Sequence, residues 1–449
     1  MVTASRSIDT LFDLESRVAG ILSFEAALAR VSAQLGVIPT SAGYAIVKQC
    51  NVAHFDLDAI QREAESAGNE AIPTVDKLRA LVGATDETAA TYVHWGATSQ
   101  DAIDTALVLA LRNALGRIDE RLVHVVASLA DLAELHAATP MVGRTLMQEA
   151  APTTFGFKVA GWLDALLRHR TRLTRARDEA RVLQFGGAVG NHAALGDAGP
   201  RVAVALADEL ELTNPELAWH SSRDRLTNVA TTLAATIGTL GKMARDISLL
   251  AQSEIAEVRE PSAVGRGRSS TMPQKRNPVG CAAILAAAVR APGLAATMLS
   301  SMPQEHERAL GGWQAEWATL PELVSIAHGA VVHAAFVAAG LEVDSDRMRQ
   351  NIVATNGLIF AESLAFALNA RLGRARGSEA LGRAIQRSVD SGTTLRAALE
   401  ADRTVTATLS DDELSAVFDV RRVVGVAEQV ARRVAAAARA SVGPGAKPR

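Results

Sequence analysis

Two apolar stripes constrain this chain more than any other feature. Leu107, Leu111, Leu115, Ile118, Leu122, Val125, Leu129 and Leu132 recur at steps of three and four, and Leu226, Val229, Leu233, Ile237, Leu240, Met243, Ile247 and Leu250 repeat the pattern. That interval puts every side chain on one face of an α-helix, whereas a strand would need alternate positions. Each stripe predicts a rod of roughly 40 Å at about 1.5 Å per residue, longer than a globular helix usually is. Rods that long bundle with one another. Further helical patterns over 155–182, 281–299 and 317–341 bring the count to five. The expected fold class is all-α, a long five-helix bundle forming a central domain with two smaller helical domains. Stripes this rich in alanine can face more than one partner, so the bundle is expected to associate with copies of itself.

A chain of 449 residues exceeds one ordinary core. The expected division is an N-terminal helical domain over 1–103, the bundle and assembly domain over 104–343, and a C-terminal helical domain over 344–449. The end, Ser441–Arg449, is rich in glycine and proline and is expected to be disordered. Within the first domain, 22–30 reads as an amphipathic helix ended by Gly36 and Pro39, and 68–73 reads as a loop. A net charge of -3 argues against nucleic acid as the main partner. Cys50 and Cys281 are the only cysteines and lack metal-ligand spacing, which points to a reduced, cytoplasmic protein without a zinc site. The N-terminus has no basic region followed by an apolar one, so no secretory signal is expected. The most apolar run, 327–340, is interrupted by His328 and His333 and is too short to span a bilayer; no membrane partner is expected.

The chemistry concentrates in Gly265-Arg-Gly-Arg-Ser-Ser-Thr-Met-Pro-Gln-Lys-Arg-Asn-Pro278. Glycines and prolines bracket paired serines and cationic side chains, so the segment is a loop between helices. Serine hydroxyls, turn N–H groups and Lys275 suit the binding of a carboxylate whose charge grows during reaction. The same spacing is compatible with a basic surface loop.

The stretch SSTMPQKRNP resembles the signature loop of the fumarase/aspartase superfamily, Ser-Ser-x-Met-Pro-x-Lys-x-Asn-Pro, and its neighbours are most similar to the 3-carboxy-cis,cis-muconate cycloisomerase family within it. The segments GNEAIP (68–73), HWGATSQD (94–101), WHSSRDR (219–225), PQEHER (303–308) and WQAEW (313–317) extend that likeness along the chain. The resemblance implies a homotetramer with sites shared between subunits, a small di- or tricarboxylate substrate, and no cofactor or metal. It also implies Ser269 as the catalytic base or its conjugate acid, with Lys275 beside it, and substrate contacts from Ser270, Thr271, Met272 and Asn277.

Outside the loop, each motif carries two readings. Thr98 or Ser99 suits a helix N-cap with Asp101 in the first turn, and by resemblance both hydroxyls hold a substrate carboxylate. Thr145 and Gln148 fit a Thr-x-x-Gln capping box, and by resemblance both bind substrate. Superfamily lyases follow that threonine with a histidine; this chain has Leu146, so their acid does not carry over. His220 and Arg223 stand at the start of the second rod, where they are structural or reach a site at its end. Arg308 is the candidate for an extra carboxylate clamp, which a tricarboxylate requires. The glycine-rich 184–190 follows a helical pattern rather than a strand, so a dinucleotide site is not expected there.

The implied reaction adds a substrate carboxylate across a nearby double bond and protonates the adjacent carbon; its reverse is a β-elimination through a dianionic aci-carboxylate. Two departures, Arg268 where relatives usually have glycine and Gln274 where cycloisomerases usually have histidine, leave a second reading, a β-elimination lyase releasing fumarate from a substituted succinate. A third is an inactive helical oligomer.

Overall fold

The computed structural model describes residues 8–261, 266–267, 271–272 and 275–442. Ser269 and Ser270 lie outside the described residues, as do residues 443–449 of the tail; Ser441 and Val442 complete the helix Ala427–Val442.

Among the described residues five helices are long: Ser99–Leu135, Phe155–Ala180, Asp224–Leu250, Val279–Ser300 and Gly312–Ala339. They are the five rods expected from periodicity. The two stripes are the buried faces of the first and third. Leu111, Leu115, Ile118, Leu122, Val125 and Leu129 are at most 1% exposed, and Leu226, Val229, Leu233, Ile237, Leu240 and Met243 are wholly buried. The fold is all-α, and among the described residues the only sheets are two-stranded.

The chain divides into two compact units, one of Met1–Glu120, His169–Gly238 and Ala286–Val332, the other of Arg121–Arg168, Thr239–Leu285 and His333–Arg449. Every change of unit falls inside a long helix, so each long helix contributes a part to each.

In the first unit, the helices Leu14–Gln34, Thr40–Gln49, Leu57–Ala67 and Ala71–Gly83 close around Val18, Leu22, Ile46, Ile60, Leu78 and Val82. The first of these ends before Gly36, whose φ of 70° is the left-handed turn the sequence signals there. The loop expected over 68–73 is shorter. Gly68 ends one helix in a left-handed conformation and Asn69 Oδ1 accepts from the N–H groups of Ala71 and Ile72, so the next helix already contains Pro73. The amide acts as the starting cap and leaves proline in the first turn, where its missing donor costs nothing.

In the second unit, Thr145 and Gln148 do not start a helix. They pair across the end of an antiparallel hairpin, strand β1 (Pro140–Thr145) with strand β2 (Gln148–Thr154). Leu146 and Met147 form its two-residue turn with φ of 50° and 67°, the left-handed pair of a type I′ turn. A bulge near Gly143 shifts the register, and a Cβ there would lie 2.5 Å from the Ala151 carbonyl oxygen, so only glycine fits. The last helices pack around Phe360, Leu364, Leu368, Leu395 and Leu399.

The expectation that the most apolar run is too short for a bilayer is corrected. That run is the end of the helix Gly312–Ala339, and among the described residues this helix and Val279–Ser300 are both long and apolar enough to cross one. Glu316, within the first of them, is buried against Arg223 in the first unit.

That ion pair belongs to the largest fully buried side chain among the described residues. Arg223 has no exposed side-chain surface; Nη1 and Nη2 donate to Asp104 at 2.7 and 3.0 Å, and Nε and Nη2 donate to Glu316 at 3.0 and 2.6 Å. Trp313 Nε1 adds a bond to Asp104 at 3.1 Å, and Gln304 Nε2 one to Glu316 at the same length. Removing one partner of a buried pair strands the other's charge and costs about 3–5 kcal/mol. Arg223→Met is therefore expected to lower unfolding free energy by about that amount, read by denaturant titration; a change under about 1 kcal/mol contradicts this account.

Candidate functional site

The first unit assembles one cationic cluster at the start of the helix Ser99–Leu135. Arg308 Nη1 donates to Thr98 Oγ1 at 2.7 Å, its Nη2 to Ser99 Oγ at 3.4 Å, and its Nε to Gln100 Oε1 at 3.2 Å. Among the described residues no carboxylate pairs with this guanidinium. The helix start adds the positive end of its dipole and its first N–H groups. Thr98, Ser99 and Arg308, expected separately, are thus one group, and its chemistry fits a carboxylate.

The helix-start reading of this segment holds at the same time. Asp101 Oδ2 accepts from the Thr98 N–H at 3.0 Å, the reciprocal half of a capping box, and from the Gly187 N–H at 2.9 Å. Its Oδ1 lies 2.7 Å from His220 Nε2, with both side chains buried. His220 holds Asp101, and Asp101 holds Thr98, whose hydroxyl accepts from Arg308. Arg223 is the correction here. Every one of its nitrogens is engaged by Asp104 or Glu316 and none reaches solvent, so the substrate contact expected of it is not available. Burial disfavours its charge, but the two carboxylates outweigh that and hold it well above the ordinary arginine value.

Three of the histidines near these motifs, His94, His192 and His306, hold positive φ. Such backbones cost about 1 kcal/mol or more for a residue with a Cβ and persist where the surroundings impose them, commonly at sites. His94 Nδ1 is 2.5 Å from Glu25 Oε1, and Glu25 is 1% exposed. Burial works against the charged imidazole, but Glu25, by charge and hydrogen bond, raises His94 above its ordinary value.

The second unit holds the rest of the expected residues. Thr145 and Gln148 flank the hairpin turn, where Leu146 and Met147 are 96% and 70% exposed. In the signature loop, the Asn277 N–H donates to the Gly267 carbonyl at 2.9 Å, and Lys275 N–H to that of Met272 at 3.1 Å. Gly267 has φ 68°, and a Cβ there would meet Asn277 O at 2.6 Å, so this closure of the loop needs glycine. Lys275 is exposed and has no carboxylate partner among the described residues. Thr271 and Met272 are exposed beside it. The ends of the loop are anchored. Arg266 lies over the Phe336 ring at 3.8 Å and reaches His333 Nδ1 at 3.2 Å, while Glu260 caps the helix Val279–Ser300 by accepting from the N–H groups of Gly280 and Cys281.

Residues 3–293 match the family described as lyase, and residues 357–434 the adenylosuccinate lyase C-terminus. The chain belongs to the lyase family of the fumarase/aspartase superfamily. A 3-carboxy-cis,cis-muconate cycloisomerase from Pseudomonas aeruginosa is 48% identical to it over 95% of this chain and 93% of that enzyme. One from Bradyrhizobium diazoefficiens is 46% identical over 96% of each. The crystal structure of the 3-carboxy-cis,cis-muconate lactonizing enzyme from Pseudomonas putida matches with a TM-score of 0.91 at 46% identity, covering 96% of this chain and 97% of that one.

Sequence reasoning passed over Asp104, Gln100, Glu25 and Glu257. In this lyase-family chain they are buried partners of side chains in the candidate site and the hairpin; the one signal for Glu25, Gln100 and Asp104 is a polar residue on an otherwise apolar helix face, and Glu257, which lies in a bend, carries none. Glu257, wholly buried, holds Arg144 at 3.0 and 3.1 Å and Asn351 at 2.8 Å, fixing the hairpin from the far side of its bulge.

A pH test follows from His94. Its folded pKa lies above the unfolded value of 6.5, so the stabilisation is fully present below pH 6.5 and is lost as pH rises through the folded pKa. His94→Gln should lower stability most in mildly acid solution, by about 1–2 kcal/mol, the loss fading in alkaline solution. A loss that grows with pH would contradict the His94–Glu25 assignment.

Proposed function

We infer that this chain is a 3-carboxy-cis,cis-muconate cycloisomerase, interconverting that tricarboxylate and 4-carboxymuconolactone without a cofactor. The observation that carries the reading is likeness to enzymes of that name over nearly the whole chain, at up to 48% identity. The uncompensated Arg308 beside Thr98 and Ser99 supports it, because a third carboxylate needs a cation that a dicarboxylate does not.

The reaction moves a proton and an oxygen and no net electrons. Lactonisation joins a carboxylate oxygen to one alkene carbon as the neighbouring carbon, next to another carboxylate, gains a proton. In the opposite sense a base removes that proton, the carboxylate beside it becomes an aci-carboxylate dianion, and the C–O bond breaks. Donors and cations placed where this charge develops lower the barrier. Lys275, Asn277, Thr98, Ser99 and Gln148 supply them in this reading, with Ser269 as the base and Ser270, Thr271 and Met272 alongside. Holding the acid folded, so that oxygen meets carbon, adds a proximity contribution of several kcal/mol. The adenylosuccinate lyase match over 357–434 favours the second reading, a β-elimination releasing fumarate.

The assay is loss of ultraviolet absorbance by 3-carboxy-cis,cis-muconate, beside fumarate release from succinyl compounds. Wild type should turn over the muconate. Ser269→Ala should abolish turnover with the helical fold intact, and Lys275→Ala should cost roughly a hundredfold or more, as for loss of one preorganised donor. Wild-type rates from Ser269→Ala remove serine from the proton transfer.

A homotetramer with sites shared between subunits belongs to the same reading. The helix Val279–Ser300 supports it: only 33% of its most apolar window is buried within the chain, and Val289 and Leu299 are 80% and 51% exposed. An apolar face of that length asks for a cover. Sedimentation should give a tetramer, and mixing Thr98→Ala protein with Ser269→Ala protein should restore activity through hybrid sites; a fully active monomer sinks the idea.

A further inference from the structure

One cation in the second unit lines a cavity and, among the described residues, makes no ion pair or hydrogen bond. Lys158, in the first turn of the helix Phe155–Ala180, lines a cavity of about 560 Å³ together with Thr145, Phe157, Trp162, Lys242 and Asp246. Two other cations border it, and both are already paired. Arg144 is held by Glu257, and Lys242 by Asp246, which also accepts from Trp162 Nε1 at 2.7 Å. Lys158 is joined by no hydrogen bond or ion pair to any described residue, although it is half-buried. Burial lowers its pKa below the ordinary lysine value, with Lys242 and Arg144 acting in the same direction and Asp246 and Glu257 against it. A half-buried ammonium without a partner is an unfavourable arrangement that a bound anion relieves. The neighbouring Trp162 and Phe157 supply an apolar wall, and a volume of this size accepts a small organic acid.

We propose that Lys158 and this cavity form a carboxylate-binding subsite for the polycarboxylate substrate, built onto the Thr145 segment, and that Lys158 is a specificity-determining residue. The proposal rests on the reading of this chain as a cycloisomerase whose Thr145 segment contacts substrate. It adds a ligand group that neither the signature loop nor the Arg308 cluster contains. Within the second unit it gives the substrate a cation on the Thr145 side in addition to Lys275 of the signature loop. The hydrocarbon backbone of the acid lies against Phe157 and Trp162 while the ammonium takes the carboxylate.

The test reads Lys158 directly and then through kinetics. Full-length, assembled wild-type protein is treated with trinitrobenzenesulfonate, and modification of Lys158 is followed by peptide mass spectrometry with and without tricarballylate, an unreactive tricarboxylate. Lys158 should modify and be protected at least fivefold, with propane, which carries no charge, giving no protection. In kinetics, Lys158→Met should raise KM for 3-carboxy-cis,cis-muconate about tenfold or more while kcat changes by less than threefold, and Lys158→Arg should recover most of the loss. An unchanged KM in Lys158→Met overturns the proposal. So does a Lys158 that modifies only after the protein is dissociated, which would mean that a second copy fills the cavity. Absence of muconate turnover by wild type counts against the cycloisomerase reading alone, and the protection experiment still decides the subsite. Should Lys158→Met fail to fold, Lys158→Arg and the labelling of wild type carry the test.

Discussion

A guanidinium with no water around it is tolerated only where carboxylates replace the water, and Arg223 meets that condition twice. Asp104 comes from the helix Ser99–Leu135 and Glu316 from Gly312–Ala339, while Arg223 immediately precedes Asp224–Leu250. One side chain thus ties together, within the first unit, parts of three long helices. Two carboxylates against one guanidinium leave a buried excess of one negative charge. Burial raises the Glu316 pKa, with Asp104 acting in the same direction against the lowering by Arg223. Well-packed apolar residues could give equal stability in such a place, so the return on the arrangement is geometric. Gln100 passes it on. Its amide N–H groups donate to Asp104 and to the His220 carbonyl, and its oxygen accepts from Arg308. The orientation of the clamp is set by a chain of bonds that begins in the core.

The strained backbones follow the same logic from the other side. His94, His192 and His306 in the first unit, and Leu146 with Met147 in the second, all hold positive φ without being glycine. A stability-driven sequence would place Asn-Gly in a two-residue hairpin turn. Here both turn residues are large, apolar and exposed, which costs conformational energy and leaves apolar surface in water. Both penalties fall on the segment between Thr145 and Gln148, the pair for which the resemblance implies substrate contact.

The rods were legible in the sequence because periodicity is a property of one helix and needs no knowledge of its neighbours. Both stripes proved to be buried faces, and the third, fourth and fifth patterns matched helices within a few residues. The Thr145–Gln148 hairpin was not legible. Thr-x-x-Gln satisfies a capping box equally well, and the positive φ of Leu146 and Met147 is imposed by strand pairing that no local propensity records. Asn69 as a helix cap is hidden in the loop reading of 68–73, because Pro73 in a first turn does not stop a helix. At the site, resemblance supplied Thr98, Ser99 and Arg308 as separate names, and only the fold shows that the arginine lies on the two hydroxyls. The opposite happened to Arg223, which sits in a motif beside His220 yet is enclosed. A motif records that a residue is near a site. Burial and partner count decide whether it faces the ligand.

Leu146 ties the strain to the chemistry. By the resemblance, superfamily lyases place a histidine after this threonine, at what is here the apex of a tight turn whose positive φ histidine adopts more readily than leucine. An imidazole there would titrate and hydrogen-bond; an isobutyl group does neither. In the proposed lactonisation the exchange leaves this turn without a proton carrier, so the proton has to come from another segment, while the nucleophile is part of the substrate and water only competes with it.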